Sequence, residues 1–201
     1  MKITDSPSPN QSDRPAGVEP RLIVIHGTVG SDAGDLSHLC RSDSQVSYHY
    51  LVQRKGTIHR LVRPDRRAWH AGKSSWRGVA DVNDYSIGIG LSNLGGSELF
   101  TEEQYEAAGW LCSVFIREYG IGLEDIVGHY HISAGRKTDP WYTFEWGRLF
   151  ARIASAASSP PRAAPSSELE CAVSLARQSP GSPAAAGVRR ARAPGGCGNC
   201  A

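Results

Sequence analysis

The chain has 201 residues, with 22 Lys and Arg against 20 Asp and Glu, for a formal net charge of +2 at neutral pH. So balanced a charge sets up no basic field of the kind that binds nucleic acid, and a 40% hydrophobic content is that of a globular domain with a real core. Five cysteines at irregular spacing argue against a disulfide framework and for a reducing compartment.

Residues 1–19 are rich in Ser, Pro, Asp and Asn and offer little to bury, so a flexible arm is expected there. They lack the apolar core of a secretory leader, and no later stretch reaches the length of a membrane span. A cytoplasmic protein is therefore expected. RLIVI at 21–25 is a continuous run of β-formers closed by His-Gly-Thr, which predicts a buried strand delivering His26 to a loop. A short helix is predicted over 34–40. VSYHYLVQ at 46–53 and TIHRLV at 57–62 read as strands joined by an Arg-Lys-Gly hairpin turn. SIGIGLSN at 86–93 reads as a central strand whose Gly88 and Gly90 permit close approach of a neighbour.

Thr101 has the position of an N-cap, and Tyr105, Ala108, Leu111, Cys112, Phe115 and Tyr119 follow at helical spacing. This segment predicts the main helix, and a last amphipathic helix is predicted over 144–153. Strands interleaved with helices imply a mixed α/β fold, a mostly mixed central sheet flanked by helices, in one domain over 20–154. From 155 to 201 the chain becomes a low-complexity Ala/Pro/Arg tail, expected to be disordered or weakly helical. Its Cys197-Gly-Asn-Cys200 has no second cysteine pair or histidine nearby and is assigned no role.

Seven histidines are present, and the chemistry depends on which of them converge. His26 ends a predicted strand, His129 follows an apolar run, and Asp139 lies on a loop bounded by Gly135 and Pro140. Two imidazoles and one carboxylate make a three-ligand zinc set whose fourth tetrahedral position is open to water, and zinc lowers the pKa of such a water to about 7. Spacing leaves alternatives open, because His129 and His131 would share one face of an extended segment and could chelate together.

Five motifs bear on that choice: VIHGT at 24–28, VSYHYLVQRKGTI at 46–58, RAWHAGKSSWRG at 67–78, NDYSIGIGLSN at 83–93 and VGHYHISAGRKTDP at 127–140. In this order they resemble the type 2 N-acetylmuramoyl-L-alanine amidase family, which includes phage lysozyme-type amidases and peptidoglycan recognition proteins. The resemblance runs from Arg21 to about Phe150 and is specific as a set, although each piece alone is weak. It implies one zinc ion per chain, held by His26, His129 and Asp139, with His131 outside the ligand set.

The resemblance also implies that Lys137 stabilises the oxyanion formed at the attacked amide carbonyl. Gly90 departs from the cytoplasmic anhydro-muropeptide amidases, which carry a glutamate there. Members without that glutamate have a tyrosine matching Tyr48, so Tyr48 and Lys137 are the implied catalytic pair. His70 is similar to a family histidine of the substrate groove. Flanking Trp69 and Trp76 are candidate sugar-binding rings that could equally be core, while His49 is expected to serve the fold.

The implied activity is hydrolysis of the lactyl–L-Ala amide of peptidoglycan, with peptidoglycan or muropeptide as partner, no nucleic acid, and a monomer as the working state. Release to the wall by a separate lysis route is the alternative to work inside the cell. A recognition module that binds the same ligand without turnover is the competing reading.

Overall fold

The computed structural model describes residues 1–158, so the expected tail beyond Ser158, with Cys171 and the C-x-x-C, lies outside the described residues. Ten strands and four helices follow in chain order: β1 (Ile3–Asp5), β2 (Gln11–Asp13), β3 (Leu22–Gly27), α1 (Asp32–Leu39), β4 (Tyr50–Val52), β5 (Ile58–Arg60), β6 (Arg66–Ala68), β7 (Ser75–Trp76), β8 (Val79–Ala80), β9 (Ser86–Leu91), α2 (Glu102–Tyr119), β10 (Ile126–Gly128), α3 (His129–Ile132) and α4 (Trp146–Ser158).

The main sheet has the order β1-β5-β4-β9-β3-β10. Only the β4–β5 pair is antiparallel, so the mixed sheet expected from the sequence is present. Every residue of β3 and β9 is buried, as continuous apolar runs covered on both faces must be. Side chains alternate across a strand. Ile23, Ile25, Ile87, Ile89 and Leu91 accordingly join the core formed with Tyr105, Leu111 and Phe115 of α2, while Leu22 and Val24 join Val82 and Val127 in a second cluster.

α2 begins where the sequence placed it. Thr101 accepts from Gln104 N–H, and the Gln104 side chain accepts from Thr101 N–H, a reciprocal cap that satisfies two free amides. The helix ends at Gly120, whose φ of 67° is a left-handed conformation that glycine adopts at little cost. α4 packs along α2 through Leu149 and Ile153, and Arg148 and Arg152 both pair with Glu102.

Three expectations are corrected. First, residues 1–19 are not a free arm: β1 pairs with β5, β2 pairs with β6, and Ser8 and Asn10 are buried. What the segment buries is polar and satisfied, with the Asn10 amide donating to the carbonyls of Arg41 and Val46. The Arg14 guanidinium donates to four carbonyls, those of Pro64, Asn83, Asp84 and Ser86. Apolar content cannot reveal burial of that kind. Second, Tyr48 and His49 precede β4 instead of lying within it. Third, residues 129–131 are not extended but open a helical turn, which separates the directions of His129 and His131.

Candidate metal centre

Three elements each supply one candidate ligand. His26 lies near the end of β3, on the face it shares with Leu22 and Val24 and opposite α2. His129 opens α3 directly after β10, whose pairing with β3 sets Gly128 beside Ile25. Asp139 returns on the loop after α3, and its carbonyl accepts from Tyr130 N–H at 3.1 Å.

Nδ1 of His26 and Nδ1 of His129 are 3.1 Å apart. The Asp139 carboxylate lies 3.3 Å from the first and 3.2 Å from the second. All three residues are buried, and ligand atoms from the three lie within 4.8 Å of one another, a set that can hold a metal ion. Burial depresses the His26 pKa to about 4, against the opposing pull of Asp139. Burial by itself would raise the Asp139 carboxyl, but the two imidazoles beside it outweigh burial and hold the group below its usual range. At neutral pH a bare imidazole nitrogen of His26 therefore faces an ionised carboxylate, which is the protonation state a cation requires.

His129 and Asp139 of this set line an open cleft of about 400 Å³, with His26 buried behind them. Tyr48, His70, Lys137 and Trp141 line it together with His129 and Asp139. The Tyr48 ring lies 4.9 Å from that of His26, and burial, followed by the charges of Asp139 and Asp35, raises its phenol above the ordinary value. Tyr48 thus stays protonated and can donate. Its seat depends on Gly90, since a Cβ there would come within 2.5 Å of the Tyr48 ring.

His70 lies deeper, 4% exposed, with Nδ1 at 3.0 Å from His26 Nε2. Trp69 and Trp76 are not among the cleft walls. Trp69 donates to Ser12 and Trp76 to Asp125, and Trp76 packs on the second core cluster. The His131 Nδ1 accepts from Gly128 N–H, and its ring packs among Trp76, Tyr130 and Trp146, outside the ligand set.

Sequence reasoning missed several contributors. Asp35 of α1 lines the cleft and accepts from Thr28 Oγ1, and burial raises its carboxyl. Trp141 walls the cleft at a φ of 60°. Asn83 and the Ala71 carbonyl support the histidines from behind. Asn83 lay within a quoted motif and could have been found, whereas a backbone carbonyl has no sequence signal.

A mixed sheet covered by helices, with two imidazoles and a carboxylate brought together at its strand ends beside an open cleft, defines an α/β domain whose buried donor set can hold one metal ion. The chain belongs to the N-acetylmuramoyl-L-alanine amidase family, whose profile matches residues 16–142. It is similar to the 1,6-anhydro-N-acetylmuramyl-L-alanine amidase AmpD of Salmonella typhimurium, with 33% identity over 171 residues, 74% of this chain and 88% of that one. Among solved structures it resembles a selenomethionine derivative of AmpD, with a TM-score of 0.66 and 31% identity over 76% of this chain and 94% of that one. It also resembles AmiD from E. coli in complex with anhydro-N-acetylmuramic acid-L-Ala-D-γ-Glu-L-Lys, with a TM-score of 0.62 and 35% identity over 70% of this chain and 60% of that one.

Proposed function

We propose that this chain hydrolyses the amide between the lactyl group of N-acetylmuramic acid and the L-Ala of peptidoglycan stem peptides, with one zinc ion held by His26, His129 and Asp139. The observation that carries the reading is the complete donor set within 4.8 Å, two members of which line a cleft, in a member of the amidase family. Two nitrogens and one carboxylate oxygen suit zinc and leave a position for water or substrate. When bound, zinc supplies a nucleophile at neutral pH and polarises the substrate carbonyl.

The chain's own residues complete the chemistry. Lys137 lines the cleft two residues before Asp139, which supports a role for its ammonium in stabilising the negative charge that develops on the amide oxygen. Tyr48, kept as a phenol, donates a hydrogen bond to the same developing charge. No carboxylate stands at Gly90 to assist proton transfer to the leaving amine.

The substrate assignment draws on AmpD, named for its anhydro-muramyl substrate, and on the AmiD complex with an anhydro-muramyl tripeptide. We read the protein as a monomer acting in the cytoplasm on muropeptide. Among the described residues no helix is long and apolar enough to cross a membrane. The full ligand set supports turnover over binding alone. Mass spectrometry of peptidoglycan and of soluble muropeptides, digested with and without a chelator, tests the reading. Release of free stem peptides beginning at L-Ala, abolished by chelator and restored by zinc, is the expected result; intact amides with zinc present would refute it.

A further inference from the structure

We propose that the His70–Ala71 dipeptide, hung on the side chain of Asn83, fixes the tautomers of both metal-facing histidines. His70, which also lines the cleft, is then a positioning residue for His26. The inference rests on the metal reading above and on a count of protons along two hydrogen-bond paths.

The first path starts at the Val82 carbonyl, which can only accept. Ser86 Oγ lies 2.6 Å from it and donates its single proton there. Toward His70 Nε2, at 3.1 Å, Ser86 Oγ must therefore accept, so His70 carries its proton on Nε2. A neutral imidazole has one N–H, which leaves a lone pair on His70 Nδ1. His26 Nε2, at 3.0 Å, is its donor. The proton of His26 is thereby held on Nε2, and Nδ1 is left bare toward His129 and Asp139.

The second path is shorter. The Ala71 carbonyl also can only accept, and His129 Nε2 lies 3.3 Å from it. That proton is held on Nε2, and Nδ1 of His129 is bare as well. Both paths end on lone pairs 3.1 Å apart beside one carboxylate. The opposite tautomers would aim N–H groups at the place a metal ion must take. Ligating imidazoles commonly have their far nitrogen tied to an acceptor, and here adjacent residues of one loop do this for two ligands.

What holds the loop is Asn83. Its buried Oδ1 accepts from His70 N–H at 3.0 Å and from Ala71 N–H at 2.8 Å. The ring of His70 reaches its place because residue 88 of β9 is glycine, where a Cβ would come within 2.5 Å of His70 Cγ. Neither Asn83 nor Ser86 touches the cleft, so substrate contact cannot account for an effect at either.

The test measures tautomers and metal affinity separately from turnover. Long-range proton–nitrogen spectra of the metal-free wild-type protein should show His26 and His129 both protonated on Nε2. A proton found on Nδ1 of His26 would overturn the proposal, and this measurement needs no variant to fold. Zinc affinity, from competition with a chelator, should fall about 10- to 100-fold in His70→Ala and Asn83→Ala. Asn83→Asp, which keeps the acceptor, should recover most of the loss, and KM of Asn83→Ala at saturating zinc should change little. Unchanged zinc affinity with a raised KM in His70→Ala would return His70 to the substrate groove and refute the proposal. Failure of wild type to bind zinc would instead strike the metal reading itself, so the two failures are distinguishable.

Discussion

Gly90 and Tyr48 define one another. The ring of Tyr48 fills the space over Gly90 that a side chain would need, and it stands beside His26. Gly90→Glu alone should therefore overpack the site and destabilise the fold by about 1–3 kcal/mol. Adding Tyr48→Ala opens the space, so the double variant should lose less than the sum of the two single changes. Melting temperatures of the four proteins in the cycle measure this coupling, and strict additivity would show that the two side chains do not compete. Lys137 gives a second prediction on this scale. Its side chain is exposed at the cleft, so Lys137→Ala should lower kcat roughly a hundredfold with zinc content unchanged. Equal turnover would remove it from the chemistry.

Among the elements, His49 links the approach to β4 with β9. Its backbone N–H donates to the Gly88 carbonyl, and its Nδ1 accepts from Gly88 N–H, both at 2.9 Å. Nε2 lies 3.1 Å from the Arg66 carbonyl and 3.0 Å from the Arg14 guanidinium. Burial, then the charge of Arg14, holds His49 well below its ordinary 6.5. A histidine kept neutral in the fold but not in the unfolded chain adds stability that is complete above the unfolded pKa. That stability is lost as pH falls below about 6.5 toward the folded value. Urea titrations between pH 7 and 5 should show falling stability, and His49→Gln should reduce the slope by up to about 1.4 kcal/mol per pH unit for one proton. An unaltered slope would mean that His49 is not among the groups responsible. The same segment shows what a sequence can reveal. β3, β9 and α2 were legible because apolar runs, helical spacing and the Thr101 cap each act locally. The place of Tyr48 just before β4 was not, because Ser47 and His49 spend their backbone donors on Trp69 and Gly88, far away in sequence. The metal set was only half legible. Spacing nominated His26, His129 and Asp139 but left His131 competing, and the turn of α3 that separates the two histidines depends on β10 lying against β3.

For the molecule as a whole, the family match covers residues 16–142, but the folded unit reaches from Ile3 to Ser158. α4 closes the core through Leu149 and Ile153, and at the other end Arg14 reaches the strand start that supports the metal site. Arg14 is held by the carbonyls of residues 64, 83, 84 and 86, and burial lowers its pKa to about 10. Removing residues 1–17 would strip those carbonyls of their donor, at about 1–3 kcal/mol for each one left buried and unpaired. It would also loosen Asn83 and Ser86, on which the histidine supports hang. A chain beginning at Val18 should therefore unfold at lower denaturant and bind zinc more weakly. A chain ending at Ser158 should match the full protein in both, since it keeps every contact of α4 described here. Denaturant midpoints and zinc affinities of the two truncated chains decide the matter. If the chain from Val18 is as stable as the full protein, the N-terminal segment is dispensable, and the metal centre is supported by the sheet alone.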